Sequence, residues 1–148
     1  MNTMNYISIA VILFWAGFVS SISFMEAWLK FRIEGVTLNI GLRIGKKIFR
    51  ALNRMVWLFL ASYIIFLIYP FNIVNTLIAI LSILLLVILA SQTFYLLPRL
   101  EKRIDLILAG ENVMKSKLHL YFITAEILKV SSLIGLSYYL WTASISNV

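Results

Sequence analysis

The sequence predicts an all-α protein: a four-transmembrane-helix up-down bundle whose second, third and fourth helices extend beyond the membrane on the cytoplasmic side. Three observations carry that prediction. Hydrophobic residues make up 62% of the 148 and charged residues 13%, far from the near-half apolar, quarter-charged balance of soluble domains. Apolar runs cover Tyr6 to Met25, Met55 to Tyr69, Phe71 to Leu97 and Leu118 to Trp141. The basic residues are not spread over a face but gathered between those runs.

Crossing about 30 Å of hydrocarbon at about 1.5 Å per residue takes roughly 20 residues, so three runs suffice unaided. The first has no Lys or Arg ahead of it and no small-residue cleavage site leading into a soluble domain, so it reads as a permanent helix. The second run is short. It becomes sufficient if its helix begins earlier, through Ile44, Ile48, Ala51 and Leu52, with the stems of Arg50 and Arg54 snorkelling. Pro70 ends this helix, and Phe71 to Asn75 should form a tight turn. The third helix is expected to pass through Pro98 with a kink and to continue to Ala109, because Leu100, Ile104, Ile107 and Leu108 keep a helical period. Gly110 is the expected C-cap, and the fourth helix should open near Asn112. The predicted helices are therefore about 6–31, 39–69, 72–109 and 112–143, in one membrane domain.

Charge sets the expected orientation. Seven Lys or Arg lie between residues 26 and 54, and five between 99 and 117, twelve of the thirteen in the chain. The N-terminal segment, the Pro70 turn and the tail carry no charged side chain. The positive-inside rule then places both long connections in the cytoplasm and both termini outside, in the cytoplasmic (inner) membrane. Tyr6, Tyr69, Tyr138, Tyr139 and Trp141 would anchor the outer interface. Basic clusters beside apolar helices point to anionic headgroups and exclude nucleic acid as the expected partner. The absence of cysteine excludes disulfides, thiol catalysis and thiolate metal sites.

Ionisable side chains within membrane helices are costly enough to be candidate functional groups. Glu126 and Lys129 interrupt the fourth run, three residues apart and able to pair. Counting inward from the outer ends places Arg54, Asn53 and Ser21 near the depth of Glu126. Gln92, Glu26, Arg50 and His119 come about one and a half turns deeper. The expectation is a polar layer of Glu26, Arg50, Asn53, Arg54, Gln92, His119, Glu126 and Lys129. Its ordinary reading is a buried ion pair that fixes helix register, and its sharper reading is a proton or solute relay. His119 lies seven residues before Glu126, on the same face, and with Glu26 would make a carboxylate–imidazole–carboxylate set suited to a divalent metal. One His and no Cys favour an interfacial role instead, and no metal ligand is assigned. Arg43, Lys47, Arg50 and Arg54 form a helical stripe that reads as anionic-lipid binding and topology, with a specific anionic ligand as the alternative. Gly17 with Ser21, and Ser131 with Gly135, are small residues four apart that allow close helix packing.

Two family resemblances attach to particular residues. Gly17 to Glu26 (GFVSSISFME), Phe49 to Asn53 (FRALN) and the stretch from Leu97, Pro98 and Arg99 to His119 resemble the small four-helix membrane family typified by transmembrane protein 205, over nearly the whole chain. That resemblance implies the fold but no chemistry. Arg50, Ala51 and Asn53 are similar to the second-helix pattern of the membrane-associated eicosanoid and glutathione metabolism family, which is four-helical, basic and trimeric. Met55, Val56 and Trp57 stand where that family has an acidic residue, so no catalytic residue is carried over. The leading expectation is a non-enzymatic membrane protein, either a homo-oligomer or an accessory subunit of a complex. Proton or solute handling through Glu126, Lys129 and Arg54, a glutathione-dependent enzyme, and lipid or sterol binding between helices remain alternatives. No cofactor is specified.

Overall fold

A computed structural model describes residues 3–68 and 76–146. Every regular element among them is helical. The first span is α1 (Thr3–Ser20), a π-helical stretch Ser21–Glu26, the short α2 (Ala27–Leu29) and a 3-10 turn Lys30–Arg32. The second is α3 (Leu38–Ile68). The third joins α4 (Thr76–Ser91) through a π-helical stretch Gln92–Leu96 to α5 (Leu97–Leu108), and the fourth is α6 (Leu118–Ser146). All four are long and apolar enough to cross a membrane.

The helices start and stop where local chemistry dictates. At the first connection Gly35 takes a positive φ of 82°, which a Cβ would disfavour. Thr37 then caps α3, its hydroxyl accepting from the Ile40 amide at 3.4 Å. Gly110, expected as the C-cap, stands one residue past the C-cap Ala109. Its φ is 82°, its N–H reaches the Ile107 carbonyl and the Glu111 N–H reaches Leu106, the paired bonds of a Schellman ending. The fourth helix opens at Leu118 and not near Asn112. Ser116 accounts for the difference: its hydroxyl accepts from the Leu118 amide at 3.2 Å, and Lys117 takes the first helical bond from Tyr121. A kink is the expectation at Pro98; what the structure has there is a π-helical stretch, Gln92–Leu96, that ends two residues before the proline. Proline has no N–H and crowds the carbonyl four residues back, Phe94, and that residue lies inside the π-helical stretch. The Pro70 turn lies outside the described residues.

Each span turns one stripe of side chains inward. The buried positions include Ile12, Ala16, Val19 and Ser23 on the first; Leu52, Val56, Leu60 and Tyr63 on the second; Leu85, Leu89, Gln92 and Leu96 on the third; Phe122, Glu126, Lys129, Leu133 and Leu136 on the fourth. Steps of three and four keep each set on one helical face. Leu58, Ile65, Ile83, Val87 and Phe94 point outward at 58–75% exposure, as lipid-facing residues do. The first span packs against the second and fourth, and the third packs against the same two. Neighbours around the bundle are thus neighbours in sequence, closed by the first and fourth. Tyr6 and Trp141 meet edge to face, 6.2 Å between ring centroids, at the end remote from the charges.

Polar contacts join the second and third spans from Tyr63 and Ser82 to Lys46 and Asp105. Tyr63 Oη lies 2.7 Å from Ser82 Oγ, and the Trp57 indole donates to Thr93 Oγ1 at 3.0 Å. Thr93 also reaches Asn53 Oδ1 at 3.0 Å. Beyond these, Arg50 grips Glu101 through Nε and Nη2 at 3.0 and 2.6 Å, and Lys46 meets both oxygens of Asp105 at 2.5 and 2.7 Å. A double-mutant cycle of Trp57→Phe and Thr93→Val, read by thermal unfolding in mild detergent, should give a coupling of about 0.6–2 kcal/mol. Zero coupling would mean that these spans do not meet at this level.

Candidate functional site: a buried polar cluster

Three spans bring polar groups to one point of the core. Glu126 and Lys129 are each 2% exposed and Gln92 1%. The Lys129 ammonium donates to Glu126 Oε1 at 2.9 Å, and Gln92 Nε2 donates to the same oxygen at 2.7 Å. Ser23 Oγ donates to Oε2 at 3.2 Å. The carboxylate therefore has both oxygens engaged, by donors from the first, third and fourth spans. Desolvating an ion pair costs several kcal/mol per charge. Three donors on one carboxylate offset part of that cost, because charge-assisted hydrogen bonds in a low dielectric are the strong ones.

The sequence supports this placement on every span of the cluster. Glu126 and Lys129 sit on the fourth span's inward stripe between Phe122 and Leu133, so their side chains enter the core whatever their cost. Ser23 continues the line of Ile12, Ala16 and Val19, and Gln92 that of Leu85 and Leu89. Both also lie in π-helical turns, Ser23 within Ser21–Glu26 and Gln92 at the head of Gln92–Leu96. Such turns carry one extra residue per bond ring and recur at functional positions. Gln92 Oε1 and Trp15 Nε1 are buried polar atoms with no partner among the described residues.

Of the eight polar-layer candidates, the structure joins Gln92, Glu126 and Lys129 directly. Asn53 belongs to the adjoining group with Thr93 and Trp57. Thr93 follows Gln92, so the two groups share a level while facing different neighbours. Arg50 is paired outside this layer with Glu101. Arg54 is exposed, because the inward line of α3 runs through Leu52 and Val56 and leaves residue 54 about 160–200° away. His119 is exposed and sits two turns from Glu126, and Glu26 lies outside the residues whose side chains are described. Among the described residues no three His, Asp or Glu gather in a way that would hold a metal ion. In the basic stripe, Arg43 and Lys47 are exposed beside Arg54. Ser23 was missed, since depth alone pointed to Ser21, which is exposed; tracing the inward face from Ile12 would have found it.

Removing Lys129 leaves a buried carboxylate without its countercharge. Lys129→Met should therefore lower stability by about 3–5 kcal/mol, and Glu126→Gln added to it should recover most of the loss. Thermal unfolding in one detergent checks both. Equal stability of Lys129→Met and the parent would rule out an ion pair buried at this site.

No protein-family model matches the chain, and no curated protein or solved structure matches it either. The buried cluster and the surfaces around it are therefore the ground on which function is read.

Proposed function

We propose that the protein is a non-enzymatic component of the cytoplasmic membrane, acting as a homo-oligomer or as an accessory subunit of a larger membrane assembly. In this reading the Glu126 cluster is a register lock between spans. One observation carries it: both oxygens of Glu126 are engaged by donors from three spans and the group is 2% exposed. A carboxylate so held is suited to specifying one helix arrangement. The orientation is proposed with both termini outside and both basic connections in the cytoplasm, on the strength of the charge distribution.

A second reading, proton or solute handling, draws on the two π-helical turns that meet at the cluster and on the unpartnered Gln92 Oε1. Glu126→Gln separates the two. The lock predicts a less stable protein, or one with altered stoichiometry in gentle native mass spectrometry, and no flux that depends on Glu126. Normal abundance and stability together with loss of a proton or solute flux in proteoliposomes would overturn the lock. A trimer holding a glutathione-sized adduct would overturn the non-enzymatic reading as a whole.

Orientation has its own test, with no background because the chain lacks cysteine. Met114→Cys, at a position 87% exposed in the second connection, should react with an impermeant maleimide only after the cytoplasmic side is opened. Ile145→Cys should react in intact cells. The reverse pattern would invert the proposed topology.

A further inference from the structure

At the charged end of the bundle α3 and α5 flank an open groove of about 430 Å³. Among the described residues its charged groups are Arg43, Lys46, Lys47 and Arg50 of α3 and Asp105 of α5. Two of the four cations are already matched: Lys46 holds Asp105, and Arg50 holds Glu101. Arg43 and Lys47 are exposed and form no ion pair among the described residues. They stand four residues apart, one helical turn, so their side chains reach the same patch. The groove thus carries two uncompensated positive charges at one place. Ile44, itself exposed, and Leu108 give it an apolar flank.

Depth identifies the environment. Glu126 is 15 residues from Trp141 along α6, about 22 Å at helical rise. Asn53 bonds Thr93, the residue after Gln92 of the Glu126 cluster. Lys47 lies six residues beyond Asn53 on α3, about 9 Å closer to the charged end. With Trp141 at one interface, Lys47 comes to the opposite edge of about 30 Å of hydrocarbon. The groove therefore opens where a lipid exchanges acyl chain for phosphate, and basic side chains placed there attract anionic headgroups.

We propose that this groove binds one anionic phospholipid, its phosphate between Arg43 and Lys47 and the top of an acyl chain against Ile44 and Leu108. The apolar flank selects a lipid over free phosphate, which would leave Ile44 uncovered. The structure also divides the basic stripe of α3. Arg50 is committed to Glu101, and Arg54 does not line the groove, so the headgroup falls to the remaining two. This site does not rest on the role proposed for Glu126.

The test is native mass spectrometry of the full chain in detergent with equimolar phosphatidylglycerol and phosphatidylcholine. One phosphatidylglycerol per chain should be retained with a preference of about tenfold or more, as two cations beside a headgroup supply. Arg43→Gln with Lys47→Gln should reduce that adduct to the phosphatidylcholine level. Both side chains are exposed, so this variant should unfold at the temperature of the parent. Asp105→Asn, which frees Lys46 to face the groove, should raise the preference, and Arg54→Gln should leave it unchanged. Equal retention of the two lipids by the unaltered protein would overturn the proposal without recourse to any variant. So would a preference that survives loss of Arg43 and Lys47, one that disappears in Arg54→Gln alone, or displacement of the lipid by equimolar inorganic phosphate.

Discussion

A carboxylate inside hydrocarbon must find its donors among the side chains around it, and Glu126 finds them on three different helices. That requirement ties the helices together more tightly than apolar packing does, because lipid tails compete equally well for Leu and Ile but cannot compete for a carboxylate. Once Glu126 faces inward, Gln92 and Ser23 must be level with it, and the rotation and height of the first and third spans are constrained accordingly. The apolar stripes above the cluster, with Trp15, Leu85 and Leu133 fully buried, then fill in around a register already chosen. The second span is bound to this frame one residue further along the third, through Thr93.

Much of this fold was legible in the sequence because the bilayer simplifies the reading. Water-excluded backbone has to satisfy its own hydrogen bonds, so a long apolar run is a helix with few competitors. The long α3 could be read from Ile44 and Leu52 before Met55, and the Gly110 ending from a residue that alone tolerates positive φ so readily. The start of the fourth helix was not legible: Asn112 and Ser116 are both good caps, and the choice depends on how far Gly110 lets the chain travel before it turns back. Irregular helix turns were likewise hidden, since a π-helical stretch has no composition of its own.

The site was half legible for a related reason. Glu126 and Lys129 announce themselves by charge, and their pairing follows from spacing. Their partners on other helices depend on which face each span turns inward and on where each span begins in height. Counting from Phe71 set Gln92 too deep. It lies at the level of Glu126, to whose carboxylate its side-chain amide donates. Arg54 shows the complementary error: the depth agreed and the rotation did not, because a helix carries residue 54 nearly opposite residues 52 and 56.

The ion pairs at the charged end of the bundle bear on how the protein is made. Arg50 with Glu101 and Lys46 with Asp105 advance four residues along one helix for every four back along the other, so they form a zipper between two consecutive spans. These contacts lie among water-exposed groups, where each is weak alone, yet they need nothing from the first or fourth span. During synthesis the second and third spans can therefore associate as a hairpin as soon as Asp105 has emerged. The fourth span then arrives carrying Glu126 with its own neutralising Lys129 one turn away, and it enters the bilayer as a paired dipole, not as a bare charge.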